Sequence, residues 1–317
     1  MKLWKDENQA YDEAINYIKN RHTGIETSIK TPWPKFNNAL LDGFEWNTLT
    51  VIAARPATGK TMFKDQIITE AFLLNPNENF RVLELQFEMA AKASAVRHFV
   101  SKTKKSYKEI LSAEGNKLND NDFIKFENIK NERIKHNIDY IDTPLTIQQI
   151  KDQIDLYFET YKTKTIITLD HTLLVKKKAN QNTLDKLYEL GEFFTEYKKK
   201  YPCLFIALSQ LNRNSEDPKR AENYSYGNYI TGDDIAGADA MMQHADNLIG
   251  INRPAMKKIT RYGPEGFIID DDAILAFHFL KMRNGDPRIS FFKGVFNEMK
   301  IIEIATPISE KRFSTRT

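Results

Sequence analysis

The chain has 317 residues, 41% hydrophobic and 28% charged, which is enough for one large domain or two small ones with a buried core. Its 46 basic and 43 acidic residues leave a net charge of +3, so overall charge does not by itself indicate a nucleic-acid partner. The single cysteine, Cys203, excludes a disulfide framework within the chain, and there is neither a signal peptide nor a long apolar stretch, so we expect a cytoplasmic protein without membrane contact.

The first predicted element is a helix over residues 6–20, where apolar residues recur at helical spacing. Gly24 suits the left-handed position that often follows a helix. The polar stretch that follows contains Pro32 and Pro34, which is typical of a linker, so residues 1–35 are predicted to form a linker helix and a linker. Such a helix either docks on another molecule or packs on its own domain, and the sequence leaves both alternatives open.

From residue 47 onwards, short apolar segments alternate with amphipathic ones. The predicted strands cover residues 48–54, 81–86, 138–141, 165–169, 203–208, 247–251 and 273–280. The predicted helices include residues 60–74, 90–102, 146–161 and 183–200. This alternation predicts an α/β fold, a mostly parallel twisted sheet with helices on both faces, over a domain of residues 36–305 with a tail at 306–317.

Two further segments and one charge run are predicted from composition. Residues 212–232 and 253–272 are polar and irregular, which predicts long loops. The run Lys198, Lys199 and Lys200 is predicted to lie on a solvated face.

A phosphate-binding loop is the strongest chemical signal. The segment ARPATGKT, residues 54–61, lies between a predicted strand and a predicted helix, although Ala54 stands where such loops usually have their first glycine. Lys60 is expected to reach the β and γ phosphates, and the Thr61 hydroxyl to bind Mg²⁺. The predicted nucleotide contacts in this loop are Arg55, Pro56, Ala57, Thr58, Gly59, Lys60 and Thr61.

ATP hydrolysis also needs a carboxylate for Mg²⁺ and a group that activates water. Asp170 ends the predicted strand TIITLD and is the candidate for Mg²⁺. Glu88 follows the strand after the phosphate-loop helix and is the preferred base, because ligands bind at the carboxyl ends of parallel strands. Glu84, inside that strand, is the competing candidate.

The order of these motifs resembles the C-terminal, RecA-like ATPase domain of DnaB-type replicative DNA helicases. The resemblance covers roughly residues 20–303. It is carried by AARPATGKT at residues 53–61, FEM at 87–89, ITLD at 167–170, ALSQLNR at 207–213 and KMRNG at 281–285, which matches a KxRNG signature.

This resemblance implies roles for individual residues. Glu88 is similar to the family's catalytic glutamate and Asp170 to its Walker B carboxylate. Gln210 is similar to a glutamine that senses the γ-phosphate. Lys281 and Arg283 resemble a pair that reaches into the neighbouring subunit's nucleotide site, where an arginine stabilises transition-state charge.

The resemblance also implies contacts with single-stranded DNA. The corresponding loops here are residues 176–183 and 214–231. They carry Lys176, Lys177, Lys178, Lys219 and Arg220, with Tyr224, Tyr226 and Tyr229 nearby. Lysines would neutralise phosphates, and aromatic rings could stack on bases. For each of these residues, an ordinary solvated loop is the alternative.

The sequence departs from the family pattern in two places. Little sequence precedes the first predicted strand, so we expect a phage- or plasmid-type form without the family's N-terminal helical domain, located in the host cytoplasm if phage-encoded. In the segment of residues 234–246, Ala236 stands where an arginine is usual and His244 where an acid is usual. We expect His244 to be structural.

The sequence therefore predicts an ATP- and Mg²⁺-dependent helicase that forms a homohexameric ring on single-stranded DNA, with a helicase loader and primase as further candidate partners. A RecA-like recombination or strand-binding ATPase that forms filaments is the alternative. A scaffold with a relic nucleotide site is a third reading, against which the intact Lys60, Thr61, Glu88 and Asp170 count.

Overall fold

The computed structural model describes residues 4–115, 117–221 and 229–309. Its helices are α1 Glu7–His22, α2 Pro34–Ala39, α3 Lys60–Leu74, α4 Ala91–Thr103, α5 Tyr107–Leu111, α6 Asp120–Arg133, α7 Ile147–Tyr161, α8 Thr183–Lys200 and α9 Ala238–His244. Its strands are β1 Leu49–Ala54, β2 Phe80–Gln86, β3 Ile138–Ile141, β4 Lys164–Asp170, β5 Cys203–Gln210, β6 Asn247–Asn252, β7 Arg261–Tyr262, β8 Phe267–Ile268, β9 Ile274–Met282, β10 Arg288–Val295 and β11 Lys300–Glu303.

The main sheet has nine strands in the order β11-β10-β9-β6-β1-β5-β4-β2-β3. The part from β6 to β3 is parallel. Strands β9, β10 and β11 extend it in antiparallel pairing. The predicted α/β class with a mostly parallel sheet is therefore confirmed.

Both faces of the sheet are buried, as the continuous apolar strands indicate. In β1, Val51 and Ala53 face a core built with α7, α8 and α9, whereas Ile52 and Ala54 face a core built with α2 and α3. Full burial of each large apolar side chain stabilises the fold by about 1.5–3 kcal/mol. This two-sided packing holds the ends of the central strands in fixed positions.

Residues 253–272, predicted as an irregular loop, contain the two-stranded hairpin of β7 and β8. Tyr262 is fully buried there, in a small apolar cluster with Ile259, Ile269 and Phe291. The prediction of irregular structure was wrong because the hairpin strands are two residues long, too short to give a period-2 pattern.

The lysine run at the end of α8 is also not a uniformly solvated face. Lys199 is exposed and Lys200 pairs with Asp155 at 3.0 Å, but Lys198 is buried and forms an ion pair with Asp246. The helix turns one side toward β1 and β5, so adjacent residues of a charge run have different environments.

The N-terminal helix α1 is capped by Asp6 in a capping box with Gln9, and it has no buried residue. Ile15 and Ile18 are 46% and 55% exposed. After it, Ile29 pairs with Phe44 and Trp33 is buried in the core beside α3. No helix among the described residues has both the length and the apolar character needed to cross a membrane.

Candidate nucleotide site

The phosphate loop occupies the turn between β1 and α3, at the carboxyl edge of the parallel strands. Gly59 has φ +103, a conformation that favours glycine, and Ala57 also has a positive φ of +62. Lys60 then starts α3, and no side chain in the described part of the chain caps the helix. The first N–H groups of α3 therefore stay available for an anion, where the helix dipole also favours negative charge.

Lys60 lies under this loop with its ammonium buried. Its Nζ donates a hydrogen bond to the backbone oxygen of Ser209 at 3.1 Å, next to the end of β5. Burial lowers the pKa of Lys60, while Asp170 and Glu88 oppose that shift. The Lys60 side chain is thus held at the ends of β4 and β5, close to the carboxylates of Asp170 and Glu88.

Thr61 and Asp170 meet as a magnesium site requires. The Thr61 hydroxyl donates to Asp170 Oδ2 at 3.1 Å. Asp170 Oδ1 is buried and has no hydrogen-bond partner among the described residues. A buried carboxylate oxygen without a partner beside a threonine hydroxyl fits a divalent cation that prefers oxygen ligands.

The two candidate glutamates have opposite environments. Glu84 is buried and forms an ion pair with Lys64, and its Oε2 also accepts a hydrogen bond from Gln86 at 3.0 Å. Glu88 is 52% exposed in its side chain, and its Oε2 lies 3.9 Å from His171 Nε2. Of these two carboxylates, only that of Glu88 is accessible beside the phosphate loop, which favours it as the group that activates water.

Gln210 ends β5 next to β1, level with Ala54. Its amide nitrogen lies 3.2 Å from His171 Nε2. Burial and the charge of Lys60 lower the pKa of His171 to about 4, so this imidazole is neutral near pH 7 and Nε2 accepts a hydrogen bond from the Gln210 amide. His171 thus stands between Glu88 and Gln210.

The sequence pattern does not point to His171. Its position directly after Asp170 at a strand end is the only local signal. A second group that the sequence does not indicate is the pair of Phe296 and Arg253. A Cβ added to Gly59 would lie 3.7 Å from the Phe296 ring, and the Arg253 guanidinium lies 4.2 Å from the ring centroid.

Arg55 ties the loop to the segment after β5. Its guanidinium donates to the Leu211 backbone oxygen at 3.0 Å and pairs with Glu216 at 2.8 Å. Pro56 and Ala57 are exposed, whereas Thr58 is buried.

Lys281 and Arg283 lie at the opposite edge of the sheet. Lys281 pairs with Leu248 in β6, and the Arg283 backbone N–H donates to Asp246, at the amino end of the parallel strands. The length of β1, roughly 17 Å, separates this edge from the phosphate loop. Within the chain, Lys281 Nζ donates to Met242 O at 2.5 Å and Arg283 Nε lies 3.1 Å from Asp246.

Gly285 completes this turn by close packing. A Cβ at that position would lie 2.0 Å from the backbone oxygen of Ala39, at the end of α2. Only glycine allows this approach, so the RNG turn is fixed against the core while the Arg283 side chain stays 58% exposed.

The predicted DNA-contact residues differ in their availability. Lys176 and Lys177 are exposed, and so is Lys219. Lys178 pairs with Glu189 at 2.6 Å. The Arg220 guanidinium forms an ion pair with Asp234 and also donates to Tyr229 O, so it braces its own loop.

Of the three nearby tyrosines, Tyr229 packs edge-on against His278 at 4.6 Å. Tyr224 and Tyr226 lie outside the described residues. His244 packs on α8 with Nδ1 2.8 Å from the Thr195 hydroxyl, and a Cβ on Gly191 would lie 2.3 Å from the imidazole. These contacts agree with a structural role for His244.

A family profile, curated relatives and solved structures all relate this chain to DnaB-like helicases. A family profile described as "DnaB-like helicase C terminal domain" matches residues 28–293. The replicative DNA helicase DnaB of Buchnera aphidicola subsp. Schizaphis graminum is 26% identical over 258 residues, which are 78% of this chain and 52% of that protein. The chain thus spans about half the length of the curated relatives it matches.

Two solved structures show the same fold. A solved ATPase domain has a TM-score of 0.75 with 18% identity, and the match covers 93% of this chain and 98% of that one. "The Structure Of A DnaB-Like Replicative Helicase And Its Interactions With Primase" also gives 0.75, with 17% identity over 93% of this chain and 66% of that one. The α/β architecture described above is therefore RecA-like.

Proposed function

Because the family profile matches most of its length, the chain belongs to the DnaB-like helicase C-terminal domain family, and from this premise we propose that it hydrolyses ATP to translocate on single-stranded DNA as a ring of identical subunits. The observation that carries the proposal is the division of the predicted residues between two edges of one sheet. Lys60, Thr61 and Asp170 cluster at the carboxyl edge, and Arg283 lies exposed at the amino edge.

At the carboxyl edge, the α3 N–H groups and Lys60 would bind the β and γ phosphates of ATP. Thr61 and Asp170 would hold Mg²⁺, which when bound neutralises phosphate charge and orients the γ-phosphate. Glu88 would orient and deprotonate the attacking water. The arrangement of Phe296 under the Arg253 guanidinium, beside Gly59, supports stacking of the adenine base on this pair.

Gln210 would detect the γ-phosphate from the adjacent strand end. Its contact with neutral His171, which also approaches Glu88, supports a path by which the nucleotide state alters the segment after β5. That segment carries Lys219, and Arg55 ties the phosphate loop to it through Glu216. ATP hydrolysis and the position of the loop proposed to contact DNA would in this way be coupled by direct contacts.

At the amino edge, Arg283 and Lys281 would complete the site of a neighbouring subunit. Asp246 would hold Arg283 near its working position in the free chain. The unburied apolar side of α1 supports docking of this helix on an adjacent subunit. A ring would place the exposed Lys176, Lys177 and Lys219 where they neutralise DNA phosphates without reading sequence. Helicase loader and primase stay candidate partners of such a ring.

The experiment that tests this function is the steady-state ATPase rate with and without single-stranded DNA, on material whose mass in solution has been measured. We expect a hexamer-sized species whose rate rises strongly with DNA. Hydrolysis that is indifferent to DNA in a confirmed ring would contradict translocation, and DNA-stimulated hydrolysis by an open filament would favour the recombination-type alternative.

A further inference from the structure

A cavity of about 450 Å³ lies between α3, α4 and α6, over the β2–β3 side of the sheet. Lys60, Thr61, Glu88 and Asp170 are not among its lining residues, so it is distinct from the phosphate-loop site. Its volume is in the range of pockets that hold small organic molecules.

One wall of the cavity is basic. It is formed by His98 and Lys102 of α4 and by Arg133 at the end of α6. Among the described residues, neither Lys102 nor Arg133 has an ion-pair partner, while the neighbouring Arg97 is paired with Asp65 at 3.3 Å. Two polar atoms of this wall, His98 Nδ1 and Arg133 Nη1, are buried and have no hydrogen-bond partner among the described residues. Buried polar atoms of this kind are normally satisfied, and their lack of protein partners points to a ligand.

The charge of this wall is concentrated. Burial, followed by the charges of Arg133 and Lys102, lowers the pKa of His98 to about 3. The same two cations also lower the pKa of His136, after its burial. Arg133 and Lys102 thus add to the effect of burial at both imidazoles, which indicates positive potential at this wall that a bound anion would relieve.

The remaining walls differ in character. Phe99, Ile134 and Met299 provide apolar surface, and Ile134 is 67% exposed. Four carboxylates also line the cavity, on other elements than the basic wall: Asp65 and Glu70 on α3, Glu84 on β2 and Glu298 in the turn before β11. Two of them, Asp65 and Glu84, are ion-paired with Lys64. An anionic group is therefore favoured at the α4–α6 side only, with an uncharged organic part toward the rest of the cavity.

We propose that this cavity is a second ligand site, which binds a small organic phosphate monoester. Its phosphate would lie against Lys102, Arg133 and the ring of His98, and its organic part against Phe99, Ile134 and Met299. Because Asp65, Gln66 and Thr69 of α3 also line the cavity, the ligand would contact the helix that carries Lys60 and Thr61 at its start.

The test uses AMP as the probe and histidine side-chain NMR signals of the full chain as the readout. His98 reports on the cavity, and His171, beside Lys60, reports on the phosphate-loop site. In the Lys60→Ala chain, we expect AMP to shift the His98 signal saturably. In a Lys102→Gln/Arg133→Gln chain, the affinity measured at His98 should fall at least about tenfold, because two charge-assisted hydrogen bonds are lost.

A matched control is Lys125→Gln, which removes one exposed charge from the same helix α6 but outside the cavity lining. It should bind AMP like the parent. Continued response of His171 to ATP in the Lys102→Gln/Arg133→Gln chain would show that this variant is folded. Inorganic phosphate should bind about tenfold or more weakly than AMP at His98, since it buries no apolar surface.

Three results would overturn the proposal. They are a His98 signal that does not respond to AMP, a response that disappears with Lys60→Ala, and an unchanged affinity in the folded Lys102→Gln/Arg133→Gln chain. The second would mean that AMP occupies the phosphate-loop site only. None of these measurements depends on DNA binding or helicase activity, so their outcome is separate from that of the proposed function.

Discussion

At the scale of single residues, burial decides between two glutamates, one inside a strand and one just beyond its end. Within β2, Glu84 and Gln86 alternate with Leu83 and Leu85, which pack in the core with α7 and α8. Glu84 lies inside β2 against Lys64, and Glu88 lies beyond its end. The carboxylate with a buried partner contributes to stability, whereas the half-exposed one is accessible for chemistry.

The substitution Glu88→Gln should therefore remove turnover and retain ATP binding. An amide cannot take a proton from water, so we expect the rate to fall by about 10²-fold or more. The measurement is the ATPase rate together with binding of a fluorescent ATP analogue.

Glu84→Leu is the matched comparison. It leaves the Lys64 ammonium buried with less compensation, so urea unfolding should show a loss of about 3–5 kcal/mol. Normal turnover in Glu88→Gln, or an unchanged unfolding midpoint in Glu84→Leu, would show that these roles are assigned to the wrong residues.

Part of this site could be predicted from sequence because it is local. Gly59, Lys60 and Thr61 are consecutive, and Asp170 ends a recognisable strand. His171 and Phe296 could not be predicted, because their roles depend on contacts with residues far away in the chain. Local pattern gives the chemistry of a strand end but not which side chains from other elements lie beside it.

At the scale of elements, α1 is a helix that buries none of its residues in its own chain. Isolated helices of this length are marginal in water, and the exposed Ile15 and Ile18 add little to its stability there. Its capping box with Asp6 and Gln9 satisfies the first N–H groups but buries no apolar surface. The helix is therefore suited to stabilisation by packing against another surface.

Replacing Ile15 and Ile18 together by lysine should abolish assembly and leave the folded core intact. Analytical ultracentrifugation should show a monomer-sized species, with the melting temperature of the core unchanged because no α1 residue is buried. Asn16→Lys, which adds a charge at an exposed polar position of the same helix, should assemble normally. A hexamer that persists in the double variant would remove α1 from the interface.

Elements with strong periodicity can be predicted well, and short or polar ones cannot. The predicted helix 60–74 and strand 138–141 agree with α3 and β3. The sequence pattern does not predict β10, β11 or α6. In α6, only Asp122 and Phe126 are buried. The four residues of β11 and the small buried face of α6 carry little hydrophobic pattern of their own.

At the scale of the whole molecule, the two edges of the sheet belong to different nucleotide sites in the proposed ring. A mixture of Arg283→Ala and Lys60→Ala chains should therefore recover activity that neither has alone. Sites formed between an intact phosphate loop and an intact Arg283 are present only in the mixed ring. The measurement is the DNA-stimulated ATPase rate at varied mixing ratio.

The control for this mixture is the chain with both substitutions, mixed with either single variant. Neither of these mixtures contains an intact Lys60 together with an intact Arg283, so the rate should stay at the level of the single variants. Lack of recovery in rings of the two single variants, shown by mass spectrometry to be mixed, would contradict action across an interface.

Buried histidines give the molecule a defined dependence on pH. Burial lowers the pKa of His98 and His278 to about 3 and that of His171 to about 4. In the unfolded chain these groups take up protons near pH 6.5, so the unfolded state binds more protons between that pH and the folded values, and stability falls as pH falls.

From pH 7 to pH 5 the loss attributable to fully buried His278 is on the order of 2 kcal/mol. Urea unfolding at the two pH values measures it. The variant His278→Gln should show a shallower dependence, and equal slopes for variant and parent would contradict this origin.

The placement of the phosphate loop and Arg283 at opposite edges of one sheet also sets how defects spread. If each site draws one half from each of two chains, and damage to a copy disables both of its halves, the number of working sites scales as the square of the fraction of intact copies. Damage to one half alone reduces the number of sites only in direct proportion. A truncated or misfolded copy that still joins the assembly is thus more harmful than one that fails to join, so that exclusion of faulty copies at the joining step protects the output of the whole population.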